Sequence, residues 1–156
     1  MKKSKQVQSW KAGDCFAIPL LDGRSLLCQV LTAEPSVLNS VSCALFDQKL
    51  DADTEKVPDV ERLFSTVMTT RDLLDSGRWR VVGTKEVEVP KSQFPFESSR
   101  ASGFIGAKVI GSQNIEEFAN AFCGLSFWDD WADRHYLDRL LISPDVKPAS
   151  LRYKAS

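Results

Sequence analysis

Asp22-Gly23, set between two apolar runs, constrains this chain more than any other short feature. Glycine accepts the positive φ that a tight primed turn demands, so the flanking runs are expected to fold back on each other as antiparallel strands. The first run, 15–20, follows turn chemistry at Lys11-Ala12-Gly13-Asp14 and carries Pro19, which lacks an amide donor and marks an edge or a bulge. The returning run, 25–32, puts Leu26, Cys28 and Val30 on one face and Leu27, Gln29 and Leu31 on the other. That pattern predicts a strand covered on both sides. A third strand over 37–46 alternates Val37, Val41, Cys43 and Leu45 with Ser40, Ser42 and Ala44, and is expected to be half-buried at the end of a small meander.

From 47 to 61 the chain turns acidic, with Asp51, Asp53, Glu55, Asp59 and Glu61 around Pro58, and reads as a long loop. Residues 59–76 admit either one helix or a helix, a strand and a helix. Val60, Leu63, Phe64 and Val67 keep helical spacing, yet 66–70 is rich in β-branched residues. The expectation adopted is a short helix over 59–64, a strand, and a helical turn over 71–76 ended by Gly77. Another strand follows at 79–83, with Val87 and Val89 as its continuation, and 91–102 reads as a connecting loop. The last third changes period. After a strand over 103–110, Ile115, Phe118, Ala119 and Phe122 fall on one helical stripe, with Glu116 and Asn120 outside it and Asn114 and Glu117 spaced as a capping box. A second helix is expected over about 130–141, stopped before Pro144. These elements predict one α+β domain over 1–156, with flexible ends at about 1–9 and 146–156. Its architecture is a bent, mainly antiparallel sheet, barrel-like if its edges meet, with the C-terminal helices packed on it.

Chemistry is sparse. Twenty Lys+Arg against 21 Asp+Glu leave a net charge of -1, so whole-molecule attraction to nucleic acid or an anionic membrane is not implied. No apolar run approaches the ~20 residues of a membrane span. The lysine-rich start is followed by Gln6-Val7-Gln8-Ser9 rather than an apolar export core, and a cytoplasmic protein is expected. Cys15, Cys28, Cys43 and Cys123 form no C-x-x-C pair and have one histidine, His135, for company, so they read as small buried hydrophobes. No serine sits in a G-x-S-x-G elbow, and the glycines at 103, 106 and 111 lack a phosphate-loop pattern. Asp51 and Asp53 alternate as calcium ligands do, without the rest of that loop. No enzyme activity, cofactor or metal is expected.

The informative region lies between 112 and 145, where Glu116, Glu117, Asp129, Asp130, Asp133, Asp138 and Asp145 stand against Arg134 and Arg139, a local charge of -5. Within it Phe127-Trp128-Asp129-Asp130-Trp131-Ala132-Asp133 packs aromatics beside carboxylates. Each tryptophan has a core reading and a contact reading. Tryptophan is enriched among residues that anchor protein interfaces, and acidic rims speed encounter with basic partners. Glu116, Glu117, Trp128, Asp129, Asp130, Trp131 and Asp133 are therefore the candidate partner-binding residues, with the acidic 47–61 stretch as the rival face.

Several stretches together resemble the immunity protein 26 family of bacterial polymorphic toxin systems. Trp10-Lys11-Ala12-Gly13-Asp14-Cys15-Phe16-Ala17-Ile18-Pro19-Leu20, with Asp22-Gly23 and Gln29-Val30-Leu31, looks like its first hairpin. Gly77-Arg78-Trp79-Arg80-Val81-Val82-Gly83 looks like its central strand, and Ile110-Gly111-Ser112 through Gly124-Leu125 with Trp128-Asp129 resembles its C-terminal part. Cys28 stands where a smaller residue is expected. The resemblance implies a non-enzymatic antidote that binds a cognate toxin and blocks it, and it transfers no catalytic residues. The alternative is a small β-barrel-type regulatory module binding a ligand or nucleic acid, which the lysines near both termini would serve.

Overall fold

The computed structural model describes residues 6–35, 37–51, 57–95 and 108–154. Its strands are β1 (Asp14–Pro19), β2 (Ser25–Glu34), β3 (Ser40–Leu50), β4 (Leu63–Thr69), β5 (Arg80–Thr84) and β6 (Val109–Ile110). Among the described residues two α-helices join them, α1 (Asp72–Ser76) and α2 (Ser112–Phe122). The strands form one sheet in the order β5-β1-β2-β3-β4-β6, antiparallel throughout except for the parallel β4–β6 pair. The architecture is α+β, and the sheet ends in two edges rather than closing as a barrel.

The first hairpin forms where expected, with Pro19 opposite Ser25. Its loop differs in detail. Leu20 N donates to Arg24 O at 2.8 Å and Gly23 N to Leu20 O at 3.1 Å, with Gly23 at φ +89°. This is a three-residue loop with glycine in the left-handed position, not a two-residue primed turn. Residues 59–76 take the helix, strand, helix order. A 3-10 turn at Val60–Arg62 is capped by the Asp59 carboxylate, β4 follows, and α1 ends at Gly77 with φ +86°.

β3 begins at Ser40, which leaves Val37 in the turn before it, and departs from its expectation in two further ways. It runs on to Leu50, taking in the start of the stretch expected to be a loop, and it is buried on both faces. Val41, Cys43 and Leu45 face the main core, while Ala44 and Phe46 join Leu31, Leu63 and Val89 in a second cluster. Val87, Val89 and Phe94 make that second cover, so Val87 and Val89 lie over the sheet instead of extending β5. Of the strand expected over 103–110 the structure shows Val109–Ile110; 103–107, like Asp53 and Glu55, lie outside the described residues.

α2 buries the expected stripe. Ile115, Phe118 and Phe122 meet sheet residues, and the Phe122 ring stacks on Phe64 at 3.6 Å. Burying one such side chain contributes about 1.5–3 kcal/mol. The capping box is not made, because α2 begins at Ser112, two residues before Asn114. Its first amide is served from across the fold, where Ser112 N donates to Thr70 Oγ1 and the Ser112 hydroxyl donates to Asp72.

The second C-terminal helix does not form. Residues 123–136 are turns, followed by 3-10 turns at Leu137–Leu140 and Pro144–Val146. Backbone groups just before the expected helix and within it bond to other partners. Trp128 N donates to Arg152 O at 2.7 Å beside a parallel bridge between Phe127 and Arg152. The Asp133 carboxylate accepts from His135 N, a local bond that replaces a helical one. Within the described parts of the two ends, side chains and backbone bond to the body of the fold. The Gln8 amide bonds Leu74 O, Trp79 O and Val81 N, while Lys154 N donates to Asp129 at 2.6 Å.

Candidate protein interface

A cleft of about 580 Å³ opens where the first hairpin, α2 and the irregular C-terminal segment meet. Leu21 of the hairpin tip, Leu73 and Arg78 form one side. Glu116, Glu117 and Asn120 of α2 line it too, as do Phe127, Asp130 and Trp131 of the C-terminal segment, referred to below as its wall. Asn120, which the helical stripe left facing solvent, is buried and does the joining: its Oδ1 accepts Leu21 N at 2.8 Å, and its Nδ2 donates to Glu116 O. Sequence spacing carries no sign of that bond, which spans 99 positions.

The seven candidate residues separate into different environments. Glu116 is a structural group. Its carboxylate receives both Arg78 Nε at 2.7 Å and Nη2 at 3.1 Å, and also the indole N–H of Trp79, a side chain with no exposure. Trp128 is corrected to core: it is 1% exposed, and its indole N–H donates to Asp138 at 2.7 Å, so it has no surface to offer a partner. Trp131 is half-buried at the cleft wall, its ring 4.9 Å from Tyr136. Glu117 is exposed and has no ion pair among the described residues. Asp130 meets Lys154 at 3.3 Å, with both side chains more than half exposed. Asp129 is engaged by the Lys154 amide, and Asp133 by Arg139 and His135 N, outside the cleft lining. The hydrogen bond from Arg139, then that from His135, hold the Asp133 carboxyl below its usual range.

The structure thus brings Glu117, Asp130 and Trp131 together and removes Trp128. It also dissolves much of the local -5. Arg78, Arg139, Lys147 and Lys154 pair with Glu116, Asp133, Asp138 and Asp130, leaving Glu117 and Asp145 as acids of this region without an ion pair among the described residues. On the rival face, among the described residues, Asp47 and Glu61 border a hollow of about 190 Å³ with Arg62, Phe64, Phe122 and Val146.

Asp138, singled out by no motif, is the hub behind the cleft wall. It accepts from Trp128 Nε1, Lys147 Nζ at 2.8 Å and His135 Nδ1 at 3.0 Å. Burial opposes its charged form, yet the Lys147, Trp128 and His135 hydrogen bonds outweigh it and hold the carboxyl down at about 2. Cys15, Cys28 and Cys43 are buried as expected; Cys123 is half-buried, and burial pushes its thiol up to about 11. No described helix is long and apolar enough to cross a membrane, and no three metal-ligating side chains converge among the described residues.

No curated protein and no solved structure matches the chain. The model of one protein family, Immunity protein 26, matches residues 11–103, which carry β1 to β5 and the Leu21, Leu73 and Arg78 side of the cleft. The 110–129 stretch, to which the resemblance also extended, lies beyond the matched residues. Well over half of the chain is covered in this way, from the hairpin through the Trp79 strand, and the chain belongs to the immunity protein 26 family.

Proposed function

We propose that this protein is a non-enzymatic antidote of a bacterial polymorphic toxin system, which binds its cognate toxin in the cytoplasm and blocks it. Family membership is the observation that carries this reading. The cleft supports a binding face: Glu117, Asp130 and Trp131 are accessible there, beside Phe127 and the 74%-exposed Leu21. An apolar wall with carboxylates at its rim suits a partner surface rich in lysine and arginine, such as the phosphate-binding face of a nuclease. Asp129 and Asp133 flank this face, and Glu116, held by Arg78 and Trp79, lines it.

The regulatory-module alternative draws less support from the described residues, because the basic side chains there that would serve nucleic acid already have partners, while Lys2, Lys3 and Lys5 lie outside the described residues. Lys11 pairs with Asp14, Lys147 with Asp138, and Lys154 with Asp130, while Arg152 lies 4.9 Å over the Phe127 ring. The test is co-expression with the product of the adjacent gene. A stable complex and restored growth of cells expressing that product support the reading; free elution of both proteins, with no protection, refutes it.

A further inference from the structure

We infer that the cleft between α2 and the C-terminal segment receives one arginine or lysine side chain projecting from the toxin, its stem against Phe127 and Trp131 and its cation between Glu117 and Asp130. This rests on the toxin-binding reading and names what enters the site. The first support is charge. The lining holds three carboxylates against one guanidinium, and that guanidinium, Arg78, is taken by Glu116, which leaves a cation entering the cleft Glu117 and, in exchange for its exposed Lys154 contact, Asp130.

The second support is independent of the acidic count: the chain itself lays cations on this wall. Arg152 sits 4.9 Å from the Phe127 ring centroid, and Lys154 reaches Asp130 at 3.3 Å. The same surface elements therefore already accept a guanidinium on an aromatic face and an ammonium on a carboxylate. The Lys154 contact is exposed at both ends and exchangeable, whereas Glu117, which lines the cavity, has no cation partner among the described residues. A cavity of this size holds a whole arginine side chain, and a lining with both aromatic rings and carboxylates favours a cation with an apolar stem over a small inorganic ion.

The experiment uses the full chain and N-acetyl-arginine methylamide as the probe, followed by amide and indole NMR shifts. Saturable shifts at Glu117, Asp130 and the Trp131 indole are expected, with a Kd on the order of 1–10 mM. Glu117→Gln is expected to weaken binding about 5- to 10-fold with unchanged thermal stability, and the uncharged citrulline analogue to give no saturable shift. Equal shifts with citrulline, shifts that map elsewhere, or no saturation by about 50 mM overturn the inference. Those results leave the antidote reading standing, because a complex with the adjacent gene product is a separate measurement.

Discussion

Replacing Asp138 by Asn removes the charge that fastens the C-terminal wall of the cleft to the core. The carboxyl is held at about 2 in the folded protein against 3.8 as its ordinary value. At about 1.4 kcal/mol per unit, that difference sets an upper figure of about 2 kcal/mol. The side chain is 31% exposed, so solvent screening brings the expected loss for Asp138→Asn to about 1–2 kcal/mol. Because the folded value is depressed, the contribution is complete above the unfolded value and disappears as pH falls through the folded one. By pH 3 about half of it is gone. Urea unfolding of both proteins between pH 3 and pH 7 measures this. The gap in stability is expected to be full at pH 5 to 7 and to close on acidification. A gap that stays constant with pH, or one below about 0.5 kcal/mol at pH 7, refutes the hub described for Asp138.

Glu116→Ala is expected to cost about 1–3 kcal/mol in the same assay, because it orphans the buried Trp79 indole N–H; Glu116→Gln, which retains an acceptor, recovers part of that loss. In the toxin complex, Asp130→Lys is expected to slow association several-fold at low salt, while Asp133→Lys, whose native carboxylate is paired with Arg139 away from the cleft lining, has a smaller effect. Equal effects would place the binding face elsewhere. The native protein at pH 7 is expected to resist rapid labelling by a thiol reagent, since three cysteines are buried and the Cys123 thiol is pushed up to about 11; a fast-reacting thiol contradicts that packing.

The sheet was legible because its signals are local. Gly23 and Gly77 stand where a left-handed backbone is needed, and the alternation in 25–32 reports a strand with both faces buried. β3 was misjudged as half-buried because its second cover, Val87, Val89 and Phe94, arrives from a stretch with no period of its own. The C-terminal segment was legible in composition and not in conformation. Its aromatics keep helical spacing, but the Trp128 amide is claimed by Arg152, 24 positions along, and its indole by Asp138. For the same reason the acidic surplus read along the sequence did not become an acidic face. Its partners, Arg78, Lys147 and Lys154, come from outside the run or from the tail. Glu117, Asp130 and Trp131 were within reach of sequence reasoning, whereas Asn120 and Asp138, which set the cleft's shape, act through contacts that spacing does not encode.

The most direct measurement is binding between the purified protein and the purified product of the adjacent gene, read by calorimetry together with inhibition of that product's activity. A one-to-one complex that abolishes the activity, and that Trp131→Ala weakens at least about tenfold, is the expected result. An absence of binding, with the activity untouched by a molar excess of this protein, contradicts the claim that the chain is a toxin antidote.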